Sequence, residues 1–293
     1  MNRKKREKIH TFTLLSPWLI TLAVFWLYPL LYAAWLSFTE YNTLSNASKF
    51  VGFANYIKMA NDPEFWQALT NTAIFAFGTV PVTTALALLI AALINSRLTR
   101  FKNFFKATYF LPSVTSLVVI ALIFTNLYSN HGYINSLLDM LGLPYPERGW
   151  LLEPSTALLS IMAMDVWMAT GYYMILFLAG MQTISQDLYD AAEISGASKS
   201  RQFFSITLPL LKPTLLFVLV INTIKSFQVF IEVYVMTKGG PMGATTTLVY
   251  LVFENAFSHT DMLGYASAIA YVLFGILIVL SLIQMKLIKP EEA

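Results

Sequence analysis

The sequence predicts an all-α membrane protein with six transmembrane helices and both chain ends on the cytoplasmic side. Three observations predict it. Of the 293 residues, 57% are hydrophobic and 12% are charged, about half the charged share of an ordinary soluble domain. The apolar residues gather into runs long enough to cross hydrocarbon, which takes about 20 residues of helix. The lysines and arginines fall mostly on one side of those runs, and that is the side expected to face the cytoplasm.

The runs cover residues 14–38, 69–94, 109–127, 156–181, 214–235 and 265–287. Helices are expected because backbone groups in lipid must bond within their own segment. The first run is longer than a signal-peptide core, and no small-x-small site follows it, so a retained anchor is expected. The third run is the shortest, with Pro112 near its start. Runs and short connectors use nearly the whole chain, so one membrane domain is expected over residues 1–293. Residues 1–13 form a cytoplasmic tail and 182–213 a cytoplasmic loop. Residues 132–154 carry Gly142, Pro144, Pro146, Gly149 and Pro154 and read as a turn-rich external cap.

Orientation follows from the basic residues. Arg3, Lys4, Lys5, Arg6 and Lys8 precede the first run. Arg97, Arg100, Lys102 and Lys106 fall in the second connector, Lys199, Arg201 and Lys212 in the fourth, and Lys286 and Lys289 at the end. These are fourteen residues. The other side holds four: Lys49, Lys58, Arg148 and Lys238. Tyr28, Trp35 and Tyr41 beside the first run, and Tyr109 on the third, fit an interfacial aromatic belt.

Several function classes are excluded or disfavoured. There are no cysteines, so neither disulfides nor thiolate metal sites occur. His10, His131 and His259 lack ligand spacing, so no metal site is expected. No basic, aromatic-interleaved stretch points to nucleic acid. No nucleophile–base pair points to catalysis. The phosphate-binding pattern G-x-x-x-x-G-K-[ST] is absent from the sequence, so ATP chemistry, if used, belongs to another polypeptide.

The fourth connector is the most informative stretch. It runs Ile184-Ser185-Gln186-Asp187-Leu188-Tyr189-Asp190-Ala191-Ala192-Glu193-Ile194-Ser195-Gly196-Ala197-Ser198. Two short helices are expected. Ser185 is placed to cap the first, and Asp187 suits its positive end. Gly196 is a natural stop because it takes the left-handed conformation at low cost. Ser198 is placed to cap a second helix, which Pro209 is expected to end. Ala191, Ala192, Gly196 and Ala197 give a smooth surface that another protein can approach closely. The plainer alternative is a linker that touches nothing.

Within the membrane, ionisable side chains carry a cost and usually face a partner or a pathway. Lys225 lies near mid-bilayer on the fifth run and Asp165 at similar depth on the fourth, with Glu232 nearer the outer surface. At 100° per residue, Asn222, Lys225, Ser226, Val229 and Glu232 share one face, with Gln228 at its edge. Two readings stand: the stripe lines a solute pathway, or Asp165 and Lys225 form a buried pair that ties two helices together.

Asp190-Ala191-Ala192, then Gly196-Ala197, then Ile206 and Leu208-Pro209, resembles the EAA loop of permease subunits in binding-protein-dependent ABC importers. Asp190 stands where that loop usually begins with Glu, and Ser195 where Asp usually precedes Gly-Ala. Further segments are similar to the same family. They include Leu15-Ser16-Pro17-Trp18, Tyr28-Pro29, Leu36-Ser37-Phe38-Thr39, Val51-Gly52-Phe53-Ala54-Asn55-Tyr56, Phe65-Trp66, Asn71-Thr72 and Phe110-Leu111-Pro112. Trp167 recurs likewise. Thr237-Lys238-Gly239-Gly240-Pro241, with Thr246, Leu248 and Ala256-Phe257, resembles the MalF-like branch of carbohydrate permeases.

The resemblance implies six helices of the ABC importer permease type in the plasma or inner membrane. It implies a heterodimer with a second, MalG-like permease, an ATPase dimer holding ATP and Mg, and an extracytoplasmic solute-binding protein. No cofactor is bound by this chain. Asp190, Ala191, Ala192, Glu193, Gly196, Ala197 and Arg201 would couple to the ATPase. Asp165, Met168, Ala169, Tyr172, Asn222, Lys225, Ser226 and Val229 would face the solute, a sugar, oligosaccharide or related polar molecule. A secondary transporter acting alone, with Lys225, Asp165 and Glu232 as coupling charges, is the alternative; the docking-type connector argues against it.

Overall fold

The computed structural model describes residues 3–96 and 100–288. Arg97 and Lys289, two of the charges used for orientation, lie outside the described residues, as do the side chains of the basic residues before Thr11. The chain divides into two compact units, Met1–Asp62 with Val252–Val272, and Pro63–Leu251 with Leu273–Ala293.

The first unit begins with α1 (Arg3–Leu22), a π turn (Ala23–Leu27) and α2 (Tyr28–Ser37). Thr11–Ser37 is long and apolar enough to cross a membrane. The π turn has a local cause. Pro29 has no N–H, and its ring presses on the carbonyl four residues back, so the preceding turn widens. The Tyr28 amide accordingly bonds the Ala23 carbonyl, five residues away. A hairpin follows, β1 (Thr39–Asn42) against β2 (Ala47–Phe50), with Thr39 opposite Phe50. Next comes α3 (Ala54–Ala60). Asn55 Nδ2 donates to the carbonyls of Ser37 and Thr39 at 2.9 Å each, and the Tyr56 and Ser37 hydroxyls meet at 2.8 Å.

The second unit is built on α4 (Pro63–Asn95) and α8 (Pro154–Gln182). The buried face of α4 carries Ala68, Thr72, Phe75, Ala76, Thr79, Thr83, Ala87 and Ala91 at helical spacing. Small residues let backbones approach closely, which is how helices associate where hydrophobicity gives no preference. Between them come α5 (Lys102–Val114), α6 (Leu117–Leu127) and α7 (Tyr133–Met140). After α8 come α9 (Gln186–Ile194), α10 (Lys199–Gln202), a second π turn (Phe203–Thr207), α11 (Leu208–Leu210), α12 (Lys212–Phe227) and α13 (Ile231–Met236). Both α14 (Leu248–Phe257) and α15 (Leu263–Leu287) are shared between the units.

Five expected spans match helices among the described residues: Thr11–Ser37, Pro63–Asn95, Pro154–Gln182, Lys212–Met236 and Leu263–Leu287. The sixth, expected as one helix over 109–127, is the pair α5 and α6, bent by 94°. Pro112 cannot donate to the Thr108 carbonyl, and Thr115 and Ser116 turn extended, with ψ of 151° and 123°. Two further expectations are corrected. Pro209 does not end the second connector helix. The π turn at Phe203–Thr207 makes room for its ring, with the Leu208 amide on the Phe203 carbonyl, and the backbone runs on through Leu211 into α12. The fifth run is not one continuous face, because the helix breaks at Gln228–Phe230. Glu232 sits in the first turn of α13 instead, where the helix N-terminus favours a carboxylate. The turn-rich cap over 132–154 also contains a helix, α7.

The Gly-Gly-Pro segment forms a tightly held loop. The Gly240–Pro241 peptide is cis, and Lys238, Gly239, Met242 and Gly243 have positive φ. Asn71 Nδ2 on α4 donates to the carbonyls of Gly243 (2.9 Å) and Thr246 (3.0 Å), and the Leu248 amide donates to Thr72 Oγ1 (2.9 Å).

Candidate functional site

Three helices of the second unit enclose a cavity of about 300 Å³, lined by Ser113, Met168, Ala169, Tyr172, Tyr173, Ile221 and Lys225. Four of the eight expected pathway residues are therefore brought together: Met168, Ala169, Tyr172 and Lys225. The other four do not line it; like Met168 and Ala169 they are buried in the bundle. Asn222 Nδ2 reaches the Val80 carbonyl at 3.4 Å, Ser226 Oγ accepts from Thr79 Oγ1 at 3.3 Å, and Val229 packs in the core beside Phe75 and Met164. Asp165 lies at the foot of Lys225.

Asp165 and Lys225 pair. Lys225 Nζ stands 3.7 Å from Asp165 Oδ1, with side-chain exposures of 43% and 5%. The asymmetry matters chemically. The carboxylate is shut inside the bundle, while the ammonium keeps donors turned to the cavity. Glu232, itself buried, lies within electrostatic range of both. The wall of the cavity thus offers aromatic faces, thioether and aliphatic surface, and one cation whose counter-charge is built in behind it.

Sequence reasoning missed Ser113. Its hydroxyl donates to the Met168 carbonyl at 2.6 Å and accepts from the Tyr172 amide at 3.0 Å. Those two groups face each other across one turn of α8, so a side chain from α5 is inserted beside that rung of the helix. Nearby, a Cβ at Gly171 would overlap the Tyr109 carbonyl oxygen. Glycine is what lets α5 lie against α8 here. The available signals were weak: one serine after Pro112 and one glycine inside an apolar run.

The connector forms the two expected starts. Ser185 Oγ accepts from the Asp187 amide, and Ser198 Oγ from the Arg201 amide. Gly196 has φ +76°. Its amide bonds the Glu193 carbonyl at 3.0 Å, and the Ala197 amide bonds the Ala192 carbonyl at 2.9 Å. That is a complete Schellman stop, with the left-handed residue at glycine. Asp190, Ala191, Glu193, Gly196 and Arg201 are exposed, while Ala192 and Ala197 are half-buried. Glu193 Oε2 pairs with Lys199 Nζ at 3.3 Å. Ile194, the last residue of α9, is 89% exposed. Tyr189 and Thr207 share a hydroxyl contact of 2.9 Å that ties α9 to the helical stretch leading into α12.

The family described as the binding-protein-dependent transport system inner membrane component matches residues 83–290, which include the cavity helices and the connector. This chain belongs to that family. It is 36% identical to the lactose transport system permease protein LacF of Rhizobium radiobacter, over 96% of this chain and 94% of that one. It is 35% identical to the trehalose/maltose transport system permease protein MalF of Thermococcus litoralis, over 97% and 95%. Its fold is similar to a chain of a bacterial ABC transporter involved in import of the acidic polysaccharide alginate, with a TM-score of 0.85 and 20% identity over 99% of both chains. As a binding-protein-dependent permease, the chain is a multi-pass membrane protein of the inner membrane.

Proposed function

We propose that this permease forms half of the translocation pathway of an ATP-driven importer for a sugar, oligosaccharide or related polar solute. The reading is supported by relatives named for lactose, for trehalose and maltose, and for multiple sugars. The observation that carries it is the exposed α9–α10 turn, stopped at Gly196 and ending in the solvent-facing Ile194. A transporter acting alone has no use for a small-residue surface with an apolar side chain at its edge.

In this reading, Asp190, Ala191, Ala192, Glu193, Gly196, Ala197 and Arg201 dock on a separate ATPase dimer, where ATP and Mg are bound and hydrolysed. Motion of that dimer reaches α12 through the Tyr189–Thr207 contact and the continuous backbone beyond it, and switches the pathway between two sides. A second, MalG-like permease completes the pathway, and an extracytoplasmic binding protein delivers solute. Met168, Ala169, Tyr172 and Lys225 face the solute directly, while Asp165, Asn222, Ser226 and Val229 hold that surface from behind. Residues 182–212 and both chain ends lie in the cytoplasm, and residues 51–66 and 239–261 outside.

The test is purification of the tagged chain in mild detergent, with solute-stimulated ATP hydrolysis as the readout. The ATPase should travel with the wild-type complex. Gly196→Asp should insert normally yet lose stimulation, because a side chain at φ +76° is strained and intrudes on the docking surface. Full stimulation in Gly196→Asp would refute the docking role.

A further inference from the structure

We propose that α7 is an interfacial helix, lying in the plane of the bilayer with its free apolar face in the headgroup–acyl boundary. The sequence reading placed this segment in a turn-rich cap, and nothing in transport itself requires a helix there.

The side chains of α7 sort into three arcs. Ile134 and Leu138 turn to the protein, where Ile134 packs on the core cluster, and between them Asn135 is buried. Asn135 Nδ2 donates to the Asn130 carbonyl at 2.9 Å, and Trp150 Nε1 donates to Asn135 Oδ1 at 2.7 Å. Ser136 and Asp139 form a second, exposed polar arc. On the third arc, Tyr133, Leu137, Met140 and the adjoining Leu141 are 82%, 57%, 83% and 62% exposed. At 100° per residue these four fall within about a quarter to a third of the helix circumference. Scattered exposed apolar residues need no explanation, but a contiguous stripe of four large ones does.

The bilayer is the occupant that the surroundings select. Five residues separate α7 from the end of α6. The outer face of α6, Val118, Val119, Leu122 and Ile123, is exposed by 42–52%, as a lipid-facing helix surface must be. The joint between the two helices is aromatic. Tyr128 closes α6, its carbonyl accepts the Trp150 amide at 3.1 Å, and the two rings pack 6.4 Å apart. Both rings belong to the protein core, with the Tyr128 hydroxyl on the Ser160 carbonyl at 3.0 Å. The Trp150–Tyr128 backbone bond and the Asn135–Trp150 bond therefore pin α7 beside the end of α6, where the apolar run stops and hydrocarbon gives way to headgroups. An amphipathic helix held there buries its apolar face by about 5–10 Å and leaves its polar arc in water.

Single cysteines at 137, 139 and 140 of this cysteine-free chain, labelled with nitroxide, test the placement. The assembled complex is reconstituted in phosphatidylethanolamine–phosphatidylglycerol vesicles. Collision with oxygen, which enriches in lipid, is compared with collision with a neutral nickel chelate, which stays in water. The oxygen-to-nickel ratio should be several-fold higher at 137 and 140 than at 139. Equal ratios at all three sites, or a nickel preference at 137 and 140, would overturn the proposal. So would protection of 137 and 140 from both reagents, which would assign the face to a protein partner. Thermal stability of each labelled complex, measured alongside, should match the wild type, since all three side chains are exposed.

Discussion

Removing the two ends of the Asp165–Lys225 pair should have unequal effects. At 3.7 Å the attraction is roughly 4 kcal/mol with an effective dielectric near 20, before desolvation is subtracted. Lys225→Met leaves a carboxylate with 5% of its side chain exposed and no cation beside it. Stranding a buried charge in this way costs about 3–5 kcal/mol. Asp165→Leu leaves an ammonium that is 43% exposed and still within range of Glu232. Water from the cavity solvates it, so the loss should stay near ~1 kcal/mol. The double variant removes both charges and should return to within ~1 kcal/mol of wild type. Thermal denaturation of the detergent-solubilised complex, followed by size-exclusion fluorescence, measures the order. Wild type and the double variant should lie highest, Asp165→Leu slightly below and Lys225→Met well below. Uptake by the double variant then tells whether the ammonium also binds solute. Equal losses for the two single variants, or a larger loss for Asp165→Leu, would refute the reasoning from burial.

Gly171→Ala should lower stability by about 3 kcal/mol or more, because the added carbon meets a backbone oxygen that cannot step aside. Gly275→Ala has open space around it and should leave the melting temperature unchanged or slightly raised. Ser113→Ala should cost only ~1 kcal/mol, since the Met168 carbonyl and Tyr172 amide can then bond each other. It should nevertheless raise the solute KM by moving Tyr172, and Ser113→Thr should restore it; a normal KM in the alanine variant would show that Ser113 only fastens two helices. Cysteines at 190 and 242 report sidedness through an impermeant thiol reagent in intact cells. Position 242, in the loop where Met242 is 89% exposed, should label directly, and position 190 only after permeabilisation.

Much of this was legible in the sequence because membrane segments write their own length and polarity. The helices at Pro63–Asn95 and Pro154–Gln182 begin and end within a few residues of the apolar runs, except that α4 starts earlier, at Pro63, where Glu64 and Gln67 interrupt the apolar pattern. The connector caps were legible too, since Ser185, Gly196 and Ser198 act through local geometry alone. The breaks were not. Hydropathy is blind to a 94° bend inside an apolar run, and periodicity assumes the helix it is meant to detect, so the interruption at Gln228–Phe230 went unseen. The site was half legible. Charge made Asp165 and Lys225 conspicuous at matching depth, whereas Ser113 and Gly171 act through close approach, which no single-residue property encodes. Segments that looked like separate family tags turn out to be contacts. Asn55 and Tyr56 bind the residues around Ser37, and Asn71 and Thr72 bind the loop after Pro241.

That last pairing sets the unit in which this protein can be altered. Besides its internal bonds, the loop from Thr237 to Leu248 is held by one short stretch of α4, with Gln67 Nε2 also reaching the Met242 carbonyl at 3.3 Å. Asn71 and Thr72 reach backbone groups 172 to 176 positions away in the chain, so a loop taken from a sugar-permease relative must present its backbone in the same shape. A working chimera must carry 67, 71 and 72 along with the loop. Because the loop meets Asn71 and Thr72 through backbone groups alone, its own side chains are free to vary as long as those two are kept.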